Sequence, residues 1–379
     1  MMETSTLIFL TSCGILTYAV MTSSFTPMTE YGPDYLFPAI PAFLLIMLVE
    51  AALISAYVAH KNAQYTFANI NISIITASVQ QAMVSLVLKP AGAPMFIYLR
   101  TYQHFNAGVN LPFYAAIMGM DLCFYLMHRQ CHTRAVLWAA HSSHHSSPTF
   151  NLTTGIRLSW FQTLFQWVFY LPAALVVSPE VMWLCLQFHD VYTFATHTYA
   201  IRRLPWIVEQ VLVTPSHHRV HHDRRVHKNF GGIFIIWDRF FGTFLDVGDQ
   251  DHHQFGIAES RFSGPVFQTL QIGPYLAFFD RLLRSVPTGL EAVVIACRGP
   301  GWLTLHRDRS LVPPKDPNST PYALPWSSKL VILLLSFASL ALLVLIPNEI
   351  SWPMRISWLA IMLALSALAA SLFPPVARV

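Results

Sequence analysis

Three histidine groups, His128-x-x-x-His132, His141-x-x-His144-His145 and His218-x-x-His221-His222, fall between residues 128 and 222 of the chain. On a helix, side chains three or four positions apart share one face with Cβ atoms about 5–6 Å apart, so each group can aim two or three imidazoles at one point. Eight such side chains exceed what one ion needs, because a tetrahedral zinc takes about four protein ligands in a structural site and about three in a catalytic one. The count predicts a dinuclear centre with ions about 3.5–4 Å apart. Imidazole suits zinc, iron, copper and nickel alike, so the ligands alone do not choose the metal.

Other residues bear on the same centre. His197 ends an apolar segment level with the three groups and is a candidate ninth ligand; the alternative is a helix-end histidine bonded to carbonyls. His217 precedes the third group and points away from His218 on a helix, which makes it a spare ligand or a support. Metal-bound histidines hand their second N–H to a carboxylate or carbonyl. Asp121, seven residues before His128, is the candidate for that role, and Asp190 stands in the same relation to His197 unless it pairs locally with His189. Cys131 lies inside the first group and reads as a small buried residue. His60, His104, His227, His252, His253 and His306 lie outside the groups and read as surface or interfacial residues.

The elements that must position these side chains are apolar. Of 379 residues, 54% are hydrophobic and 11% charged, against about 25% charged in an average soluble protein. Segments near the length of about 20 residues that crosses a bilayer are 5–24, 35–58, 66–87, 108–127, 159–178, 181–200, 329–347 and 353–373. The prediction is an all-α, polytopic membrane bundle of about eight spans with a histidine-rich cap. The segment 66–87 carries Asn69, Asn71, Gln80 and Gln81, which must find protein partners or line a cavity. Segment 5–24 lacks a basic flank and reads as a retained helix rather than a signal peptide.

Lys and Arg concentrate in 128–158 and 201–328, so the positive-inside rule places all three histidine groups on the cytosolic side. That side faces the cytosol whether the membrane is endoplasmic reticulum in a eukaryote or the inner membrane of a bacterium. The chain divides into an N-terminal membrane part (1–107), a histidine-bearing core (108–260), a cytosolic segment ending in the Pro-rich stretch 298–327 (261–328), and a C-terminal helix pair (329–379). No CxxC pair occurs among the five cysteines, and a net charge of +4 without a basic aromatic stretch gives no reason to expect nucleic acid.

Two metals at the mouth of an apolar bundle can meet a lipid chain from the bilayer. Iron there would bring dioxygen to an unactivated C–H bond, whereas zinc would polarise or hydrolyse. Two rival classes remain. A metal or proton transporter predicts ligands near the bilayer midplane and related halves, and no internal repeat is present. A zinc-dependent lipid hydrolase needs a carboxylate base at the metal, and only Asp223 adjoins a group, where it reads as an ion pair with Arg224.

The boxes HxxxH, HxxHH and HxxHH, in this order among apolar segments, resemble the fatty acid hydroxylase/sterol desaturase superfamily, and in particular its alkylglycerol monooxygenase branch. The resemblance covers 108–244 and rests above all on Trp138-Ala139-Ala140-His141, Thr214-Pro215-Ser216-His217-His218-Arg219-Val220-His221-His222, Lys228-Asn229-Phe230-Gly231-Gly232 and Trp237-Asp238-Arg239-Phe240-Phe241-Gly242. It implies two iron ions held by His128, His132, His141, His144, His145, His218, His221 and His222, with His197 added, and it makes Asn229 and Asp238 scaffold residues of a cap over the site. It also implies dioxygen as co-substrate, a lipid from the bilayer, and cleavage of the ether bond of alkylglycerols to fatty aldehyde and glycerol. Sterol, carotenoid or fatty-acyl oxidation is the alternative within the superfamily. Electrons would come from tetrahydrobiopterin or from a separate cytochrome b5 or ferredoxin system, since this chain shows no reductase domain of its own. The chain departs from the ether-cleaving pattern at Thr133, where an acidic residue is expected, near Pro148, Thr149 and Tyr199, and in a shorter loop from His222 to Lys228. These departures bear on substrate and reductant rather than on metal binding.

Overall fold

The computed structural model describes residues 28–29, 32–33, 35–58, 61–88, 95, 98, 113–248, 253–257, 271–285, 297, 326–344 and 351–371. The expected segment 5–24, residues 298–325 of the stretch 298–327, and His60, His104, His252 and His306 lie outside them. Within the described residues the regular structure is helical, apart from one antiparallel pair, Met28–Thr29 with Gly32–Pro33, and an isolated antiparallel bridge between Leu212 and Phe234.

The long helices are α1 (Leu36–Tyr57), α2 (Phe67–Met83, prolonged by a π-helical turn, Val84–Leu88) and α3 (Phe113–Thr133). Short elements follow: α4 (Ala135–His141), a 3-10 turn His144–Ser146, and α5 (Leu152–Gly155). Then come α6 (Trp160–Tyr170), α7 (Pro179–Thr196), α8 (Trp206–Val211), α9 (Pro215–His222) and α10 (Ile236–Phe240). The remaining elements are α11 (Gly273–Ser285), α12 (Trp326–Val344) and α13 (Trp352–Ser371).

Local sequence explains the starts of the helices that carry the site. Ser178 caps α7 by accepting from Val181 N at 3.3 Å, with Pro179 at the first helical position, where its missing N–H costs nothing. Thr214 and His217 form a reciprocal capping box on α9, again with proline next in line.

Two helices, Ala39–Tyr57 and Phe67–Val87, are long and apolar enough to cross a membrane among the described residues, and the second is mostly buried within the protein. The expected span 159–178 is not one helix. α6 has 11 residues, a rise of about 16 Å, and Pro172, which lacks the N–H an α-ladder needs, lies in the 3-10 turn Leu171–Leu175 that replaces it.

α3 packs against α4, α6 and α7, and the core between them holds Ile117, Met120, Tyr170, Ala174, Met182 and Cys185. α12 and α13 pack on each other and on α2, where Ile75 and Val79 meet Leu335 and Leu363. The C-terminal pair therefore supports α2. Two of the four polar residues of α2 bond to other segments, Asn69 Nδ2 donating to Thr149 Oγ1 at 3.3 Å and Gln80 Nε2 to Thr163 Oγ1 at 3.3 Å, while Gln81 lines a cavity and Asn71 Oδ1 is buried with no partner among the described residues. The four described cysteines, Cys123, Cys131, Cys185 and Cys297, are all free.

Candidate metal centre

Nine buried histidines converge in two groups whose ring nitrogens lie within 4.8 Å of one another: His128, His132, His141, His145 and His221 in one, and His144, His197, His218 and His222 in the other. These are the nine side chains expected from the sequence, brought together by α3, α4, the 144–146 turn, α7 and α9. The boxes do not map one to a group, however. The first box goes whole to the five-histidine group, while the second and third are divided between the two.

Helix geometry explains the division. Successive residues on an α-helix are about 100° apart, so His221 and His222 face different ways and each serves one group. His218, one turn before His222, shares its face, with the two Nε2 atoms 3.2 Å apart. In the second box α4 ends at His141, and the turn at His144–Ser146 sends His144 to one group and His145 back to the other. The expectation that His141, His144 and His145 share one helical face is therefore replaced by a helix end and a turn.

The separations fit ions held between the rings. Nε2–Nε2 distances are 3.0 Å for His128–His141 and His145–His141, 2.9 Å for His218–His197, and 3.2 Å for His197–His144 and His197–His222. Two nitrogens at right angles on one ion, each bonded at about 2.0–2.1 Å, would stand about 3.0 Å apart. The Nε2 atoms of His132 and His221 are buried and have no hydrogen-bond partner in the protein, a costly state that a metal would relieve. Burial, and then the neighbouring imidazoles, hold His144, His145, His218, His221 and His222 well below the ordinary histidine pKa, and burial brings His141 to about 4. The rings are thus neutral at physiological pH, as metal ligands must be.

Hydrogen bonds on the opposite ring nitrogen fix the tautomer. Nδ1 of His128 faces Phe230 O at 2.9 Å, that of His144 faces Arg157 O at 3.1 Å, that of His197 faces Thr193 O at 2.6 Å, and that of His221 faces Lys228 O at 3.0 Å. Gln162 Oε1 takes His141 Nδ1 at 2.9 Å. In each case the proton sits on Nδ1 and the lone pair of Nε2 turns inward. The guanidinium of Arg157, fully buried and bonded to Ser73 Oγ and Asn69 O at 3.1 and 3.0 Å, ties the carbonyl used by His144 to α2.

The loop 228–238 is the cap. Asn229 stands between the two carbonyls that orient His221 and His128, at φ 59°, the only non-glycine described with positive φ. Its side chain holds that turn: Nδ2 donates to His217 O at 3.1 Å and Leu245 O at 2.8 Å, and Oδ1 accepts from Leu245 N at 2.8 Å. Asp238 accepts from Phe230 N at 2.8 Å, Gly231 N at 2.7 Å and Thr243 Oγ1 at 2.6 Å. Both residues shape the backbone that aims the ligands.

Asp121 joins this scaffold rather than bonding His128. Seven residues along α3 amount to about 10.5 Å, too far for contact, and its carboxylate instead accepts from Ile233 N at 2.8 Å, Phe234 N at 2.9 Å and Trp237 Nε1 at 3.2 Å. His189 Nε2 lies 3.3 Å from the same carboxylate. Asp190 does not take the Nδ1 of His197, which faces Thr193 O. His217 joins neither group; its Nδ1 accepts from Thr214 N at 3.3 Å in the capping box. Asp223 pairs with Arg225, at 2.5 Å, rather than with Arg224. Cys131 is buried against Met127 and is not among the convergent side chains. Thr133 is exposed and bonds its own helix at Arg129 O, 2.8 Å away.

Two residues near the centre were not assigned to it from the sequence. Glu50 on α1 is buried and accepts from Leu152 N at 2.9 Å and from the hydroxyls of Tyr65 and Thr198, the last directly after His197. A lone acid inside an apolar segment is the signal that would have found it. His227, expected at the surface, is exposed, yet its Nδ1 lies 3.4 Å from His132 Nδ1.

A cavity of about 340 Å³ runs from the histidines between α1, α2, α6 and α7. His128, His141, His144, His197 and His218 line its inner end, and Ile40, Phe43, Met47, Ala77, Trp167 and Leu186 are among its apolar walls. Among the described residues, no lysine or arginine lines it. A buried apolar chain ending against the two histidine groups fits this shape.

Residues 113–243 match the family model for fatty acid hydroxylase. This stretch is thus similar to the fatty acid hydroxylases, and it holds all nine convergent histidines as well as Asp121, Asn229 and Asp238. The chain is 38% identical over 289 residues to an alkylglycerol monooxygenase from Homo sapiens, covering 74% of this chain and 62% of that protein. It is 35% identical over 237 residues to one from Danio rerio, covering 60% and 51% respectively, so it spans between half and two thirds of the length of these relatives. An ornithine lipid hydroxylase from Rhizobium tropici is 28% identical over 166 residues, 42% of this chain and 50% of that protein. No solved structure matches the chain.

Proposed function

We propose that this protein is a membrane di-iron monooxygenase that hydroxylates a lipid C–H bond with dioxygen, acting on alkylglycerols to give fatty aldehyde and glycerol. The observation that carries the reading is the meeting of nine neutral imidazoles, in two groups, with the inner end of a largely apolar cavity. The names of the relatives from Homo sapiens and Danio rerio support the ether-lipid substrate. Iron, when bound, supplies dioxygen activation, and imidazole is a suitable donor for it.

The chain's own residues do the rest. His128, His132, His141, His145 and His221 would hold one ion, and His144, His197, His218 and His222 the other. Carbonyls of Arg157, Thr193, Lys228 and Phe230 fix the rings. The cavity presents one segment of the lipid chain to the centre and keeps water from the rest. Hydroxylation of the carbon next to an ether oxygen leaves a hemiacetal, which separates into aldehyde and alcohol. Asp121 and Asn229 act through the loop they anchor rather than on the lipid.

The protein spans the membrane through α1, α2 and further apolar segments, with the histidines at the cytosolic face of the endoplasmic reticulum or of a bacterial inner membrane. Tetrahydrobiopterin, or a separate cytochrome b5 or ferredoxin system, supplies electrons. Membranes containing the protein, given reduced pterin and 1-O-hexadecylglycerol, are expected to release hexadecanal in an oxygen-dependent manner. Absence of aldehyde together with oxidation of a sterol, carotenoid or acyl lipid would replace the ether substrate with one of these.

A further inference from the structure

His189 on α7 has no part in either histidine group, yet it is buried and lines the cavity beside His128. Its ring lies on Phe124, with centroids 4.2 Å apart, and its Nε2 sits 3.3 Å from Asp121 Oδ1, near enough for ion pairing but not aligned as a hydrogen bond. Asp121 already accepts three hydrogen bonds, and a carboxylate has about four lone-pair sites. The fourth faces this imidazole.

The fit is tight on the other side as well. A Cβ on Gly232 would stand 2.1 Å from His189 Nε2 and 2.7 Å from Asp121 Oδ1. Only glycine lets the cap backbone close over this pair. A carboxylate beside Nε2 favours the tautomer protonated there, leaving the lone pair on Nδ1, and no described residue bonds Nδ1. Apart from His189 and the histidines of the centre, the described polar residues lining the cavity are amides, hydroxyls and indoles, with Asp190 the one carboxylate and no lysine or arginine among them.

We infer that His189, oriented by Asp121, accepts a hydrogen bond through Nδ1 from a hydroxyl of an uncharged lipid headgroup and so sets which part of the lipid reaches the histidine centre. The inference rests on the reading of this cavity as the lipid site. A phosphate or carboxylate headgroup would find no described lysine or arginine at this wall to offset its charge, whereas a hydroxyl finds a lone pair held in place.

Binding tests it without turnover. The full-length protein in lipid nanodiscs, kept anaerobic and without reductant, is titrated with 1-O-hexadecylglycerol and with its 2,3-di-O-methyl ether, which has the same chain and no hydroxyl. Quenching of Trp167 and Trp183, which line the cavity, reports occupancy. In His189→Phe the Kd for the free-hydroxyl lipid is expected to rise about tenfold, the size of one lost hydrogen bond, while that for the methylated lipid stays unchanged. His189→Asn, which restores a polar atom near the position of Nδ1, recovers most of the difference, and both variants keep their metal. Equal weakening of both lipids, no change in either, or metal loss in both variants overturns the inference. A protein that shows the expected discrimination but releases no aldehyde would refute the ether-cleaving reading and leave this one standing.

Discussion

His144→Ala and His221→Ala are each expected to abolish lipid oxidation and to remove at least one of the two ions from the purified protein. The substitutions strike different groups: His144 stands with His197, His218 and His222, and His221 with His128, His132, His141 and His145. His144 Nε2 lies 3.2 Å from His197 Nε2, so its loss opens one side of the smaller group. Within the five-histidine group, His221 and His132 bring the two buried Nε2 atoms that have no hydrogen-bond partner in the protein, and the substitution removes one of them. Metal analysis beside an activity assay checks both variants. His306→Ala, outside the motifs, should change neither quantity. A His221→Ala protein that kept full metal and activity would remove that residue from the centre.

Asn229→Ala is expected to lower metal affinity by about 10–100-fold, the usual cost of losing a partner that orients ligands, although the side-chain hydrogen bonds of Asn229 go to His217 O and Leu245 and not to a ligand ring. The backbone at φ 59° is one that asparagine tolerates better than alanine. The alanine also deletes three hydrogen bonds to His217 and Leu245. Both changes move the carbonyls of Lys228 and Phe230 that aim His221 and His128. Competition with a chelator reads the affinity. Asn229→Gly, which accepts the same φ but lacks the side chain, should fall between Asn229→Ala and the wild type. Equal affinity in all three proteins would show that this turn does not position the ligands.

The eight box histidines were legible because their residue type and close spacing are themselves the chemistry, and His197 because it ends an apolar segment level with them, even though the second box converges through a helix end and a turn rather than one helical face. Their division into two groups was not legible. In the second box it depends on where α4 stops and on the turn at 144–146, neither of which the spacing of the box encodes. The groups that orient the rings were invisible for a different reason. Four of the five are backbone carbonyls, and every residue has one. The sequence did offer carboxylates, and periodicity put Asp121 on the right face of α3, but a shared face two turns away is not contact. Glu50 carried the same signal as Asp121, an acid in an apolar helix, and ties Leu152 to the residue after His197. Helix lengths were the weakest part of the fold reading. Hydropathy counts apolar residues and does not register that Pro172 ends an α-ladder, so 159–178 read as one span where a helix and a 3-10 turn stand.

The central claim, that two histidine groups hold two irons, is tested most directly by metal analysis of the full-length protein purified without added metal. About two irons per chain in the active protein is the expected result, since each group offers at least as many donors as a single ion takes from protein. Zinc retained in fully active protein, or a single ion per chain at full activity, would contradict it.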